Sequence, residues 1–565
     1  MKPLKLIFAV FLIWLLSFGC NKDDDPTPTG LQPDISGVSP SEGAISTELA
    51  IVGTNFEQGA VVIVGGVNSI VVDVTSATSI FAQVPSGVEA NTLLSVSVRN
   101  PAGKEATFEN AFTAIPPELE FVNSATKPSG NVGSTVILEG KAFGSVQGTS
   151  KIYFSDGAGS TIEASVANPD YWTDQFIITT VPSGADDGPL YIETELGVSN
   201  EMIFNVTEAA TFSPSTINWT STTALPVAVS GHYAQFVTID DASDVSHQFV
   251  YVTGGKNDTP EALDQAIYGE INADGTIAEW KSATSLPTPL AFHSTVAATP
   301  YNSKVSGSGH LYIIGGVDGD SNVVNTVSVA PFNNDGSLGS WSGTTSLPEP
   351  LHSHGAVIFR NTIYVAGGTT TGDVPVNKTY KSVIDTTGAL GDWQELSAMP
   401  SEMTYHGFIT FGAYLYAVGG ESGNSTPDAG TSSTNLSQVI FARLDLRTGN
   451  ITDAGWTVNE NELQKSRSKH TTLAAGGNLF VSSGLYAAAG QGSSENTYAQ
   501  ILADGTVGTF AGATGSNTLL SQGGFNLYNQ AGISYVDANG VSRVMILGGA
   551  SVNDPNIKTS NVLFY

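Results

Sequence analysis

Tyr312-Ile313-Ile314-Gly315-Gly316 and, 52 residues on, Tyr364-Val365-Ala366-Gly367-Gly368 are one short apolar strand closed by one pair of glycines. The unit recurs as Val250-Tyr251-Val252-Thr253-Gly254-Gly255, Tyr416-Ala417-Val418-Gly419-Gly420, Val481-Ser482-Ser483-Gly484 and Ile546-Leu547-Gly548-Gly549, with a period of 52 to 65 residues. An aromatic stands upstream of each pair: Trp219, Trp280, Trp341, Trp393, Trp456 and then Phe510. A third column lies between them, His232, His293, His354, His406, His470 and Gln522, set 13, 13, 13, 13, 14 and 12 residues after the aromatic. A repeat of this length is a supersecondary unit that cannot bury its apolar face alone and must stack on its copies.

Each copy reads as four strands. The first starts at the His column, the second ends in Gly-Gly, and the third alternates, as in Thr379-Tyr380-Lys381-Ser382-Val383-Ile384. A turn such as Ala273-Asp274-Gly275 or Asn334-Asp335-Gly336 leads to the fourth, which carries the Trp. The array is out of phase at its ends. Trp219 marks a fourth strand with nothing before it, and Asn561-Val562-Leu563-Phe564-Tyr565 is a third strand with nothing after it. Joining them completes a sixth unit and removes the open edge, so residues 212–565 are expected to close as a six-bladed β-propeller.

These columns resemble kelch repeats. The set is strong in five copies, while the fifth weakens Gly-Gly to Ser483-Gly484 and the sixth has Phe510 for Trp and Gln522 for His. The resemblance implies that any ligand is met by the connections before strand one and after strand two, on one face of the ring. The residues before the His column are Gly231, Phe292, Ser353, Tyr405, Lys469 and Ser521; those after the Gly pair are Lys256, Val317, Thr369, Glu421, Leu485 and Ala550. Phe292, Tyr405 and Tyr486 are the candidates to stack on a sugar or grip a protein, with Lys256, Arg467, Lys469 and Glu421 supplying polar contacts. The His and Trp columns, being set by the repeat, are assigned to the scaffold.

Catalysis is not expected. A kelch-like copper radical enzyme needs a Tyr joined to a Cys, and the one cysteine is Cys20, outside the repeats. Mutarotases and polysaccharide lyases on propellers need acid, base and Arg groups at the channel mouth, where only Arg467 among the few arginines is placed. No cofactor is expected, with structural calcium the one candidate. Asp318, Asp320 and Asn322 sit at alternate positions as in a calcium loop, but no later acid closes it, which is equally the pattern of a polar turn.

The first 208 residues have another organisation. Lys2 and Lys5, the apolar run from Leu6 to Leu16, and Ser17-Phe18-Gly19-Cys20 resemble a bacterial lipoprotein signal over residues 1–19, with Cys20 the lipidated residue. Ser17 stands where such signals usually carry Leu. Asn21-Lys22-Asp23-Asp24-Asp25 opens a tether over residues 20–30 and resembles the surface-export signal of Bacteroidota lipoproteins. The expected location is therefore the outer membrane, anchored by lipid and facing outward.

Two short all-β patterns follow. Residues 31–115 carry Ile51-Val52-Gly53-Thr54-Asn55-Phe56 and Val84-Pro85-Ser86-Gly87; residues 116–208 repeat them as Ile137-Leu138-Glu139-Gly140-Lys141-Ala142-Phe143 and Val181-Pro182-Ser183-Gly184. Both resemble IPT/TIG domains, immunoglobulin-like sandwiches. The second is divergent, with Lys141 read at the usual Asn and an insertion of about ten residues containing Trp172. The chain is thus expected to be all-β throughout.

Against 52 acidic residues stand only 21 lysines and arginines, a net charge of −31. Such a surface repels phosphate backbones and argues against nucleic acid as a partner. The expected function is a non-catalytic module that binds a glycan or protein at the cell surface. The alternatives are a carbohydrate-active propeller enzyme resembling sialic-acid mutarotases or polysaccharide lyases, and an adhesin that makes contact through its IPT/TIG domains.

Overall fold

A computed structural model describes residues 30–565 apart from 124–127, 208–211, 213, 244, 258–260, 424–433, 446–447, 487–494, 503, 513–526, 538–540, 552–553 and 555. Cys20, the leader, Ser521 and Gln522 lie outside the described residues. The described chain is strand and connection, with two single turns of 3₁₀ helix at Pro169–Tyr171 and Pro214–Thr216. It divides into two compact units, the first running to Glu42 and over Glu48–Ala114, the second taking Gly43–Thr47 with Ile115–Tyr565.

The first unit is a sandwich. One sheet orders Asp34–Ser39, Glu48–Thr54, Ser79–Gln83 and Val72–Ser76, and the other runs through Glu105–Ala114, Leu93–Arg99, Val61–Val64 and Val67–Asn68. Alternation decides what faces inward: Leu49, Ile51, Val62, Val64, Ile80, Val96 and Val98 are fully or nearly fully buried.

The second unit begins with another sandwich. Its core joins Leu119, Val136, Leu138, Phe143, Phe154, Leu190 and Phe204 around Trp172, whose indole N–H donates to the Phe143 carbonyl at 3.1 Å. The inserted segment thus supplies core. Gly53 and Gly140 play one role in the two sandwiches: a Cβ there would lie 1.9 Å from the carbonyl oxygen of Asp34 or Glu118, so only glycine fits. Two residues on, Asn55 and Ala142 both take positive φ, 61° and 58°. Ala142, not Lys141, therefore occupies the Asn position, which corrects the register read from sequence.

Six four-stranded antiparallel sheets complete the unit. Sheet 1 orders Tyr233–Asp240, Ser246–Thr253, Ala266–Glu270 and Lys281–Ser282. The first strands of sheets 2 to 5 are Ser294–Ala298, Gly355–Phe359, Gly407–Phe411 and Thr471–Ala475. Sheet 6 takes Ala531–Val536, Ser542–Leu547 and Val562–Phe564 from the end of the chain, and its fourth strand is Thr220–Ser221, with Thr220 opposite Phe564 and Ser221 opposite Leu563. The first strand of each sheet packs against that of the next, and the sixth packs against the first.

The repeated side chains stitch these sheets together. Trp280, Trp341, Trp393 and Trp456 donate their indole N–H to the carbonyls of Thr223, Thr284, Thr345 and Ser397, each on the connection leaving the preceding sheet. Tyr312, Tyr364 and Tyr416, all on second strands, donate to the carbonyls of Gly388, Gly449 and Gly505 in the turn of the following sheet. Phe480 replaces this Tyr in sheet 5, where the next sheet's third and fourth strands come from distant segments and no such turn joins them. It packs edge-on against Phe212 instead.

The second sandwich is clasped to the ring on the side of its first-to-second-strand turns. Arg360 Nη2 meets Glu139 Oε2 at 2.9 Å while its guanidinium lies 3.9 Å from the Phe176 ring centre. Lys304 adds ion pairs to Glu120 and Glu139 and covers Phe121. The opposite face, carrying the first-strand entries and the Gly-Gly exits, is not used by these contacts.

A hydrogen-bonded ring at the centre of one face

The glycine pairs and the His column are two halves of one packing device. A Cβ on the second glycine of each sheet would strike the Cβ of that sheet's own column residue: Gly255 on His232, Gly316 on His293, Gly368 on His354, Gly420 on His406, Gly484 on His470. A Cβ on the first glycine would strike the imidazole of the next sheet, Gly254 on His293, Gly315 on His354, Gly367 on His406, Gly419 on His470 and Gly548 on His232. Gly549 packs in the same way on Gln530, which fixes the sixth column residue as Gln530. The spacing from Phe510 is 20 rather than 12, because the connection into sheet 6 is longer than the other copies suggest. Gln530 also sits beside the one sheet whose first glycine is replaced, donating from Nε2 to the Ser482 carbonyl at 3.1 Å.

Burial keeps the column neutral. His232 and His406 are pushed down to about 4, and His293, His354 and His470 to about 3, burial being the main cause in each. These imidazoles are enclosed by backbone and glycine and do not open on a ligand.

The residue before each column position is different. Gly231, Phe292, Ser353, Tyr405, Lys469 and Asn529 all adopt left-handed backbone, with φ between 50° and 61°. Their amides form a closed ring. The N–H of Phe292 donates to Gly231 O, Ser353 to Phe292, Tyr405 to Ser353, Lys469 to Tyr405, Asn529 to Lys469, and Gly231 back to Asn529, at 2.8 to 3.0 Å. The backbone repeats six times while the side chains are six different ones.

A second circle surrounds the first. Ser230, Ala291, His352, Thr404, Ser468 and Tyr528 pair with Lys256, Val317, Thr369, Glu421, Leu485 and Ala550, which follow the glycine pairs. The two connections expected to meet do meet, on one face.

The sequence candidates gather here, but most are buried. Phe292 is 5 % exposed, Tyr405 7 %, Lys469 3 %, and Arg467 and Glu421 are enclosed. These rings and charges are candidates for contact by their position in the connections, but Phe292, Tyr405, Lys469, Arg467 and Glu421 are packed within the face and only Lys256 and Tyr486 keep part of their surface open. Phe292 and Tyr405 meet edge-to-face at 6.5 Å between centroids; Lys256 lies 5.6 Å from the Phe292 ring centre and Lys469 4.6 Å from that of Tyr405. Lys469 faces Glu421 at 3.7 Å, and Glu421 Oε1 accepts from Ser468 Oγ at 2.6 Å. Arg467 points away, donating to the Ser483 carbonyl beside Tyr486. Tyr486 is half-buried and donates to Glu495, which also pairs with Lys465.

His352 belongs to this group and was missed. It is 1 % exposed, lies 6.3 Å from the Tyr405 ring and contacts Ser353 Oγ at 3.0 Å. Burial, helped by the charge of Lys256, pushes it down to about 4. The signal was present: two places before the column the other copies have Ser, Ala, Thr, Ser and Tyr. Proximity to the regular His354 masked it.

Asp318 and its neighbours form a self-contained turn. Asp318 Oδ1 accepts from the amides of Asp320 and Asn322, and Oδ2 from the Asn322 side chain. Among the described residues no group of three or more His, Cys, Asp or Glu is placed to hold a metal ion. On the opposite face a hollow of about 620 Å³ is floored by Tyr414 and Phe441 and edged by Arg443, Asp445, Asp453 and Asp504. No described helix is long and apolar enough to cross a membrane.

Residues 33–114 match the IPT/TIG domain family, which places an immunoglobulin-like module in the first unit. That module is consistent with a binding or adhesin-like protein. No curated protein matches the chain.

Proposed function

We propose that the six sheets are the blades of a closed kelch-type propeller, carried at the outer membrane surface by lipid on Cys20, and that its entry face binds a glycan or protein without catalysis. The IPT/TIG module and the second sandwich space it from the anchor. The observation that carries this reading is the conformation of the central ring. Left-handed backbone costs a non-glycine residue about 1–2 kcal/mol. Gly231 meets that demand without strain, yet five of the six positions hold Phe, Ser, Tyr, Lys and Asn. A scaffold selected for stability alone has glycine there. Side chains kept at such a cost, all different and all around one axis, are the mark of a site.

Screening the protein that begins at Cys20 on a glycan array, with product analysis of every glycan bound, tests the proposal. Binding without turnover, weakened by changes at Lys256 or Ser353, is the expected result. A second reading, a carbohydrate-active enzyme, draws on the proximity of His352, Tyr405, Lys469 and Glu421 near the axis; product formation favours it over the first.

A further inference from the structure

We propose that the guanidinium of Arg467 holds a small monovalent anion, a halide, inside the fifth sheet. The site is separate from the central ring and does not depend on what the entry face binds. It begins with a break in a repeated column. The amide of each sheet's second glycine donates to one carbonyl of the next sheet, at 2.8 to 3.0 Å. The six residues held in this way are Val229, Leu290, Leu351, Met403, Arg467 and Leu527. All six are buried, and five are apolar. Arg467 alone brings a charge to a position that its copies fill with aliphatic side chains, and it is 0 % exposed. Burial pulls its pKa below the ordinary value, and a charge removed from water in this way needs a partner.

The donors of Arg467 show where that partner sits. Nη1 donates to the Ser483 carbonyl at 3.2 Å and reaches that of Glu495 at 3.4 Å. Nε and Nη2 are buried as well, and neither has a hydrogen-bond partner among the described residues. These two nitrogens share one edge of the guanidinium, where their N–H groups point in parallel and match an anion.

The charges around this edge do not balance. Glu495 is the carboxylate beside Arg467, and it is engaged by Lys465 at 2.7 Å and by the Tyr486 hydroxyl at 2.7 Å. Lys465 and Glu495 are both about half exposed, so the pair forms at the surface and leaves the buried cation uncompensated. Lys469, the next cation along, already faces Glu421. Residues 487–494, between Tyr486 and Glu495, are Ala-Ala-Ala-Gly-Gln-Gly-Ser-Ser and supply no acid. One monovalent anion restores neutrality. Size then selects the kind. A sugar or peptide carboxylate brings a carbon body that a fully enclosed side chain cannot admit, whereas a halide needs only the two donors and loses weakly held water.

Thermal melting with chloride replacing gluconate at constant ionic strength tests the inference. The melting temperature is expected to rise by a few degrees with chloride and then to level off, as for an ion bound only by the folded chain. Arg467→Leu, which copies Leu290, Leu351 and Leu527, is expected to lose this dependence. Arg467→Lys, which keeps the charge without the parallel donors, is expected to need about tenfold more chloride for the same rise. In crystals of the unaltered protein grown in bromide, an anomalous peak is expected against Nε and Nη2 of Arg467, a readout that does not require either variant to fold. Melting that ignores chloride, a chloride dependence that Arg467→Leu retains, or bromide found only at surface cations overturns the proposal. Stabilisation by acetate in preference to chloride overturns the halide assignment and gives the edge to a carboxylate.

Discussion

Glycine is absent from five positions where the backbone would favour it, and that contrast gives the sharpest residue-scale test. Ser353→Gly relieves a left-handed residue at a partly buried site whose hydroxyl contacts only His352 Nδ1 among the bonds described. It is expected to leave stability unchanged or raise it by up to about 1 kcal/mol in urea denaturation, while weakening any ligand. The His column gives a second test. His354 is held at about 3 by burial, below its ordinary 6.5, so it stays neutral in the folded protein while the unfolded chain takes up a proton. The stability it contributes is complete above pH 6.5 and is lost as pH falls from there toward its folded value. His354→Gln, which copies the residue of sheet 6, is expected to flatten the fall in unfolding free energy between pH 6.5 and 4 by up to about 1.4 kcal/mol per pH unit. Equal slopes for variant and parent contradict the assignment. At this scale the sequence made the columns legible, because each repeats at a near-constant distance from a Trp. It did not make burial legible. Phe292 and Tyr405 stand out by position, but their burial depends on a ring whose bonds join residues some 50 to 65 apart on either side of each of them.

Elements were easier to read where they repeat than where they are inserted. The unpaired third strand at one end of the array and the unpaired fourth strand at the other point to each other, and Val562–Phe564 lies hydrogen-bonded between Ser542–Leu547 and Thr220–Ser221. Removing residues 556–565 takes the middle out of sheet 6 and leaves Thr220–Ser221 without a partner. The expected result is one cooperative melt shifted down by many degrees, not a small loss of amplitude; a melting temperature equal to that of the full chain contradicts it. Where one copy departs from the spacing, the period no longer marks the column. The longer connection into sheet 6 moved the column from Gln522 to Gln530, and the short insertion before Phe176–Thr180 hid a core tryptophan, Trp172, inside what reads as a loop.

Across the second unit, the sandwich and the six sheets share a buried ion pair that no pattern within either one announces. Glu139 is 2 % exposed at its side chain and Arg360 13 %. Breaking a buried pair by removing one partner costs about 3–5 kcal/mol, and the partial exposure of Arg360 with Lys304 3.9 Å from Glu139 brings this to about 2–4 kcal/mol. Arg360→Ala is expected to lose that much in chemical denaturation, and Glu139→Gln with Arg360→Met to recover part of it. The clasp holds one face of the ring and leaves the entry face to a ligand, so the account depends on that ring being closed. Hydrogen exchange at the amides of Gly231, Phe292, Ser353, Tyr405, Lys469 and Asn529 tests this most directly. All six are expected to be protected together, exchanging at one slow rate, and to lose protection together when residues 556–565 are removed. Prompt exchange at Gly231 or Asn529 in the intact protein, with the other four protected, means a ring open between sheets 6 and 1 and contradicts the account.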